Sequence, residues 1–234
     1  MGVMTNRVSD RIWIIIPAYN ESSVIGQVIT SAHRHGFIDI IVVDDGSHDP
    51  TAAAAATAGA MVLSHRINRG KGAATKTGIE AAKLLGADII VTMDGDGQHD
   101  PADISRLVAP IAAGRADVAL GTRSLTTPHM PRHKVISNRI ANMVAWSFAG
   151  LWVADSQSGF RAYSRQAADT LNTRADRYNY ETEIIRQIRE YRLRFTEVPI
   201  SVKYTAYSMS KSTRQTFGMG LRTVYKMIWN TLSF

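Results

Sequence analysis

The chain reads as a single α/β domain with a mostly parallel central sheet flanked by helices. Three observations predict it. Short runs rich in β-branched residues alternate with helical patterns through the first half, the rhythm of strands joined by crossover helices. Those runs stop at glycines and acidic residues, as strands do when they reach a turn. A chain of 234 residues, 45% hydrophobic and 20% charged, is long enough for one full core and too apolar for disorder.

Taken in order, Ile12–Ile16 predicts a strand, Ser22–His35 a helix and Ile38–Val43 a strand. The alanine-rich Thr51–Ala58 predicts a helix, Met61–Ser64 a short strand and Gly72–Leu85 a helix. Ile89–Met93 is the next strand, Asp103–Ala113 a helix and Val118–Gly121 a strand. Pro128 and Pro131 bound a loop. Val135 to about Leu151 is helical in pattern, Asp155–Arg161 reads as a loop and Tyr180–Arg192 as a helix. Glu197–Tyr204 is a strand that carries Pro199, which assigns it to a sheet edge. Thr216–Phe234 has the pattern of an amphipathic helix. The expected organisation is a flexible N-terminus over 1–10, the α/β domain over 11–211 and an amphipathic, membrane-associating segment over 212–234. Within the domain, a half about 11–122 precedes a half about 123–211.

Composition narrows the function classes. Without cysteine, disulfides and thiolate metal sites are excluded. The N-terminus lacks the charged start and long apolar core of a signal peptide, and the longest apolar segment, Ile140–Ala154, is too short to span a bilayer. The net charge of +7 is uneven. Residues 1–122 carry 10 Lys and Arg against 13 Asp and Glu; residues 123–234 carry 17 against 7. The basic second half suits a nucleic acid, an anionic membrane or a phosphate-bearing substrate, and also the solvated helix faces of Arg186, Arg189, Arg192 and Arg194.

The richest motif is Asp94-Gly95-Asp96-Gly97-Gln98-His99, directly after the apolar run that ends at Met93. Carboxylates at i and i+2 of an extended segment point the same way, and the carboxamide at i+4 continues the row. Hard oxygen donors so placed suit Mg²⁺ or Mn²⁺, whose shells are completed by water and substrate phosphate. An EF-hand loop would need glycine and glutamate where His99 and Ser105 stand. A polar turn facing water is the other reading of the pair taken alone. Two more clusters sit at strand ends: Pro17-Ala18-Tyr19-Asn20-Glu21 and Asp44-Asp45-Gly46-Ser47. Asp45 there suits a nucleobase N–H or ribose hydroxyls, while Ser47 or Asp49 suits a helix cap. Asn68-Arg69-Gly70-Lys71-Gly72 precedes a helix but lacks the spacing of a P-loop.

Together these clusters resemble, in order and spacing, the family 2 glycosyltransferases. Gly121-Thr122-Arg123, Asp155-Ser156-Gln157-Ser158-Gly159-Phe160-Arg161 and Val198-Pro199-Ile200 look like the polyprenyl-phosphate hexosyltransferases, the dolichyl-phosphate mannose synthase type. The resemblance covers roughly 11–211 and implies a GT-A fold, with a nucleotide-sugar half about 11–122 and an acceptor half about 123–211. It implies that Pro17, Ala18, Tyr19, Glu21, Val43, Asp45, Lys71, Met93, Asp94 and Lys211 bind the nucleotide sugar, and that Asp94, Asp96 and Gln98 hold the Mg²⁺ or Mn²⁺. Arg123, His133, Lys134, Ser137 and Arg161 would receive the acceptor phosphate, and Asp96, Arg123 and Asp155 would be the catalytic group. Asp155 is either a general base or a positioning group, since a phosphate monoester with a second pKa near 6 needs no strong base.

The implied partners are a nucleoside diphosphate sugar, GDP-mannose ahead of UDP-glucose, and a polyprenyl phosphate at a membrane surface, with no nucleic acid. The implied reaction inverts the anomeric centre, at the cytoplasmic face of a membrane. Thr205 stands where relatives often carry an arginine six residues before the lysine matched to Lys211; either Lys203 substitutes for it or the pyrophosphate contact is weaker. A soluble transferase with a hydroxyl acceptor, and a non-catalytic nucleotide- or nucleic-acid-binding protein, are the competing classes.

Overall fold

A computed structural model describes residues 10–123, 142–143, 146–147, 149–175 and 180–203. Within them the strands are β1 (Ile12–Ala18), β2 (Ile40–Asp44), β3 (Met61–Ser64), β4 (Ile89–Thr92), β5 (Val118–Arg123), β6 (Arg161–Ser164) and β7 (Phe195–Ile200). The helices are α1 (Ile25–Arg34), α2 (Thr51–Thr57), α3 (Lys71–Leu84), α4 (Ile104–Ala112), α5 (Arg165–Thr170) and α6 (Tyr180–Glu190). One seven-stranded sheet runs β3-β2-β1-β4-β6-β5-β7. All its pairings are parallel except those of β6, which is antiparallel to both β4 and β5.

Helices cover both faces of the sheet, so its central strands are apolar on both sides. Successive side chains of β1 separate into two layers. Ile14 and Ile16 join Ile40, Val42 and Val91 on one face; Trp13 and Ile15 join Ile41, Val43 and Ile90 on the other. The first face is closed by α1 through Ile25, Val28, Ile29 and Ala32, and by α4 through Ile104, Leu107, Val108 and Ile111. Both sets follow the helical stripe i, i+3, i+4, i+7. Each fully buried isoleucine contributes roughly 1.5–3 kcal/mol.

On the second face α3 approaches through small residues: Gly72, Ala73, Ala74, Thr75, Gly78 and Ala82 are buried. A Cβ at Gly78 would stand 2.2 Å from Ile15 Cγ2. The absence of that carbon sets how closely α3 lies on β1.

The five strands expected from the first half are all present, and β7 is an edge strand that carries Pro199. Three differences have local causes. The first helix begins at Ile25, because Asp49 accepts hydrogen bonds from Ser22 N and Oγ and holds Ser22–Val24 in a turn. The last strand starts at Phe195, where it enters register with Val118 of β5. β6 and α5 were not anticipated; the stretch around Arg161 reads as loop in sequence but pairs with two strands. Residues 142, 143, 146, 147 and 149 are helical, part of the expected Val135–Leu151 helix. The expected Thr216–Phe234 helix lies outside the described residues.

The topology locates the crevice. The chain steps outward from β1 to β2 to β3, then returns to the other side of β1 with β4. Ligands of such sheets bind beyond the carboxyl ends of the strands, where the winding reverses. The β1–β4 ladder ends with Ile15 opposite Thr92, and Met93 N still donates to Ile15 O at 3.0 Å. Past that point the strands diverge, and Pro17 lies in β1 without an N–H to leave unpaired. Because β6 runs the opposite way, its start faces this rim and delivers the 155–161 loop there.

Candidate active site

Asp94 and Asp96 follow β4 directly and face the ends of β1 and β6. Asp94 Oδ1 lies 2.7 Å from Lys71 Nζ, and Lys71 also reaches Glu181 Oε1 at 3.2 Å. Burial pushes the Asp94 carboxyl up, but the Lys71 ammonium outweighs it and the group is held at about 2. Burial likewise pulls Lys71 down, and Asp94 and Glu181 more than reverse it, so its pKa is raised. Asp96 moves the other way, to about 6, because it is buried and stands beside the Asp94 and Glu21 charges. The Asp94 charge disfavours ionisation of Asp96, a repulsion that a divalent cation would relieve.

The carboxamide of Gln98 faces the same group. Gln98 Nε2 donates to Asp96 Oδ2 at 2.8 Å and its backbone N–H donates to Asp96 Oδ1 at 3.0 Å. Rotation of the carboxamide would present its oxygen instead. Among the described residues no three His, Asp or Glu side chains gather as a metal site. The fit is therefore two carboxylates and a carboxamide, hard oxygen donors suited to Mg²⁺ or Mn²⁺ with open positions for phosphate and water.

His99 holds this turn. Its ring stacks on Phe160 at 4.9 Å, and its Nδ1 accepts from Asp94 N–H at 3.3 Å. An accepting nitrogen requires the neutral ring, and burial lowers its pKa to about 4. Lys203 fixes the far side: its backbone N–H donates to Gln98 O and its ammonium pairs with Asp100 at 2.7 Å.

Asp45 is more occupied than its sequence suggests. Oδ1 accepts from His65 Nδ1 at 2.7 Å and from Arg69 N–H at 2.9 Å, and Oδ2 accepts from Gly70 N–H at 2.7 Å. It therefore fixes the Asn68–Gly72 turn and the start of α3. Asp45 N–H donates to Ala18 O at 2.8 Å, tying the ends of β1 and β2. Tyr19 lies edge-on to His48 at 6.3 Å. Ala18, Val43 and Met93 are buried in the core, so they shape the crevice floor from beneath.

The opposite wall is the 154–161 loop. Arg123, at the end of β5, donates to Asp155 through Nε at 2.5 Å and Nη2 at 2.8 Å, a bidentate pair. Both Asp155 oxygens are thereby engaged with the guanidinium. Asn142 clamps the loop: Oδ1 accepts from Ser156 N–H and Oγ, and Nδ2 donates to Ala154 O. Arg161 is buried and donates to the carbonyls of Ser156, Ser158 and Glu181. It holds the loop against α6, through carbonyls in place of the carboxylate partner a salt bridge would need.

The structure thus brings Pro17, Lys71, Met93, Asp94 and Arg161 together around one cleft of about 240 Å³ including its mouth. Asp96 and Arg123 lie close enough to Asp94 to act on it or feel its charge, and Gln98 and Asp155 are bonded to them. His133, Lys134, Ser137 and Lys211 lie outside the described residues. Glu181, which also lines the cleft, was missed by sequence reasoning. Its only signal was the acidic first turn of α6, Glu181 and Glu183, which reads as a helix start.

Comparison with known proteins agrees with this geometry. The family model described as glycosyl transferase family 2 matches residues 13–172. The UDP-N-acetylglucosamine–dolichyl-phosphate N-acetylglucosaminyltransferase of Methanococcus voltae is 35% identical over 240 residues, covering 93% of this chain and 94% of its own. The polyprenol monophosphomannose synthase of Mycolicibacterium smegmatis is 31% identical over 219 residues, covering 89% and 82%. In structure, a glucosyl-3-phosphoglycerate synthase from Mycobacterium tuberculosis, solved with Mn²⁺, UDP and its product, superposes with a TM-score of 0.65 at 23% identity. That superposition covers 88% of this chain and 75% of the other. With a GT-A sheet, acidic residues at its switch point and a family model over most of its length, this chain belongs to glycosyl transferase family 2.

Proposed function

We propose that the protein transfers a hexose from a nucleoside diphosphate sugar to a polyprenyl phosphate, with inversion. The observation that carries this reading is the closeness of the Asp94–Asp96 pair to the Arg123 guanidinium, which Asp155 holds and whose charge helps to lower the Asp94 pKa. One side suits a metal-bound diphosphate; the other suits a phosphate nucleophile. The names of the two relatives, both enzymes of polyprenyl-type phosphates, support the acceptor class.

In this reading Asp94, Asp96 and Gln98 hold Mg²⁺ or Mn²⁺. Such a cation neutralises charge that builds on the departing nucleoside diphosphate. Pro17, Tyr19, Glu21 and Asp45 border the nucleoside at the β1 and β2 ends. Arg123, oriented by Asp155, supplies the positive charge that receives the acceptor phosphate and aligns one oxygen on the anomeric carbon. That oxygen is already largely deprotonated, so the bidentate Asp155 serves as a positioning group. This favours a phosphate acceptor over a hydroxyl, which would need a proton acceptor.

The lipid acceptor implies peripheral attachment to a membrane, at its cytoplasmic face. Among the described residues no helix is long and apolar enough to cross a bilayer. Trp146 and Trp152, 48% and 59% exposed with ring centroids 6.2 Å apart, offer amphipathic rings suited to the headgroup region.

The test is an assay with Mn²⁺, a short polyprenyl phosphate and radiolabelled GDP-mannose, UDP-glucose or UDP-N-acetylglucosamine. Label entering the organic phase only when the lipid phosphate is present is the expected result, and the productive donor identifies the sugar. Label on a water-soluble acceptor, or hydrolysis alone, refutes the proposal.

A further inference from the structure

Lys71 is placed between two carboxylates from different parts of the fold. It is the first residue of α3, while Asp94 follows β4 and Glu181 lies in the first turn of α6. Its three donors have two charged acceptors within 3.2 Å, and the four-carbon stem lets the ammonium shift between them with little movement of backbone.

The arrangement poses a physical problem. Asp94 is the oxygen donor nearest the lysine, and it is also a donor the divalent cation needs. A dication on the Asp94 carboxylate repels the ammonium beside it and favours its retreat. The direction of that retreat is set by the surroundings. The backbone of Gly159 closes one side so tightly that a Cβ there would stand 2.6 Å from Lys71 Nζ. On the other side Glu181, with 11% of its side chain exposed, already accepts the same ammonium. Lys71 and Glu181 line the same cleft, so the shift needs no passage through the core.

We infer that Glu181 is a positioning residue that holds Lys71 in reserve. The ammonium neutralises Asp94 before a divalent cation binds, then withdraws onto Glu181 when the cation claims the Asp94 oxygen. The inference rests on the proposed metal role of Asp94, and it assigns Glu181 a function that acts only through Lys71.

A double-mutant cycle on cation binding tests this without turnover. Mn²⁺ uptake is followed by electron paramagnetic resonance in the full chain, with no nucleotide present. The proteins compared are wild type, Glu181→Gln, Lys71→Met and the double variant. Glu181→Gln is expected to weaken Mn²⁺ binding about tenfold, because the lysine loses its second partner. Lys71→Met is expected to tighten it, and the double variant to bind like Lys71→Met alone. Glu181→Asp, one methylene shorter, is expected to fall between wild type and Glu181→Gln, and it serves if the glutamine variant does not fold.

An equal loss from Glu181→Gln in both backgrounds would show that Glu181 contributes only a diffuse negative field, and it overturns the inference. So does an unchanged affinity in Glu181→Gln. A wild-type protein that takes up no Mn²⁺ overturns the metal reading itself, which separates that failure from the first two.

Discussion

Gly159→Ala tests the centre of the site with one added carbon. The alanine Cβ would stand 2.6 Å from Lys71 Nζ and 2.7 Å from Asp94 Oδ1. An ordinary contact is about 3.5 Å, so both groups must retreat by roughly 0.8–0.9 Å. Both are side-chain ends and can move. The fold therefore loses a partly exposed ion pair, worth about 1 kcal/mol at most, and takes on crowding of about 1 kcal/mol. At this chain length, about 1–2 kcal/mol lowers the melting midpoint by roughly 2–8 °C. Catalysis should suffer far more. A displacement near 1 Å at a reacting group costs on the order of a hundredfold, or about 2.7 kcal/mol of transition-state stabilisation. The assay is kcat/KM for sugar transfer to a short polyprenyl phosphate, with melting followed by circular dichroism. A variant that keeps activity within about threefold of wild type would refute the placement of Lys71 and Asp94 beneath Gly159.

Three further outcomes follow from the same geometry. Gly78→Ala should lower stability by about 1–2 kcal/mol, since crowding Ile15 outweighs the gain in helix propensity; thermal melts check this, and an unchanged midpoint refutes the close seating of α3. Asp155→Asn should cut kcat/KM about a hundredfold by loosening Arg123, yet leave the acid limb of the pH–rate profile in place, whereas loss of that limb would mark Asp155 as a base. Asp117 is held below the ordinary carboxylate range by its hydrogen bond from Arg194. The stability it contributes is fully present above about pH 4 and is lost as pH falls through the lower folded value. Denaturant melts of Arg194→Ala should therefore show a shallower loss of stability on acidification than wild type.

Much of this was legible in the sequence because it is local. The runs from Ile12, Ile38 and Ile89 are long, β-branched and bounded by turn residues, and each is a strand. The Asp94–Gln98 cluster is legible as polar residues beyond a strand end, but its extended two-residue period is not kept: residues 95–97 turn, with Gly97 at φ 75°. What escaped notice depends on distant partners. Arg161–Ser164 carries no strand pattern of its own; it becomes β6 because β4 and β5 each leave an edge for it. Glu181 looks like the acid of a helix start, and only the return of α6 to the rim brings it to Lys71. Asp45 lies 20 residues from His65, and nothing in either segment announces that they meet.

The antiparallel β6 constrains how such a protein can change. It comes from the second half of the chain, yet it lies between β4 and β5, both from the first. Cutting the gene near residue 122 and grafting on another enzyme's remainder would strip the sheet of its middle rung and leave two bare edges facing a gap. The two halves of the chain are therefore not interchangeable cassettes. Variation falls to the loops on the rim, while the interlaced strands beneath are inherited whole.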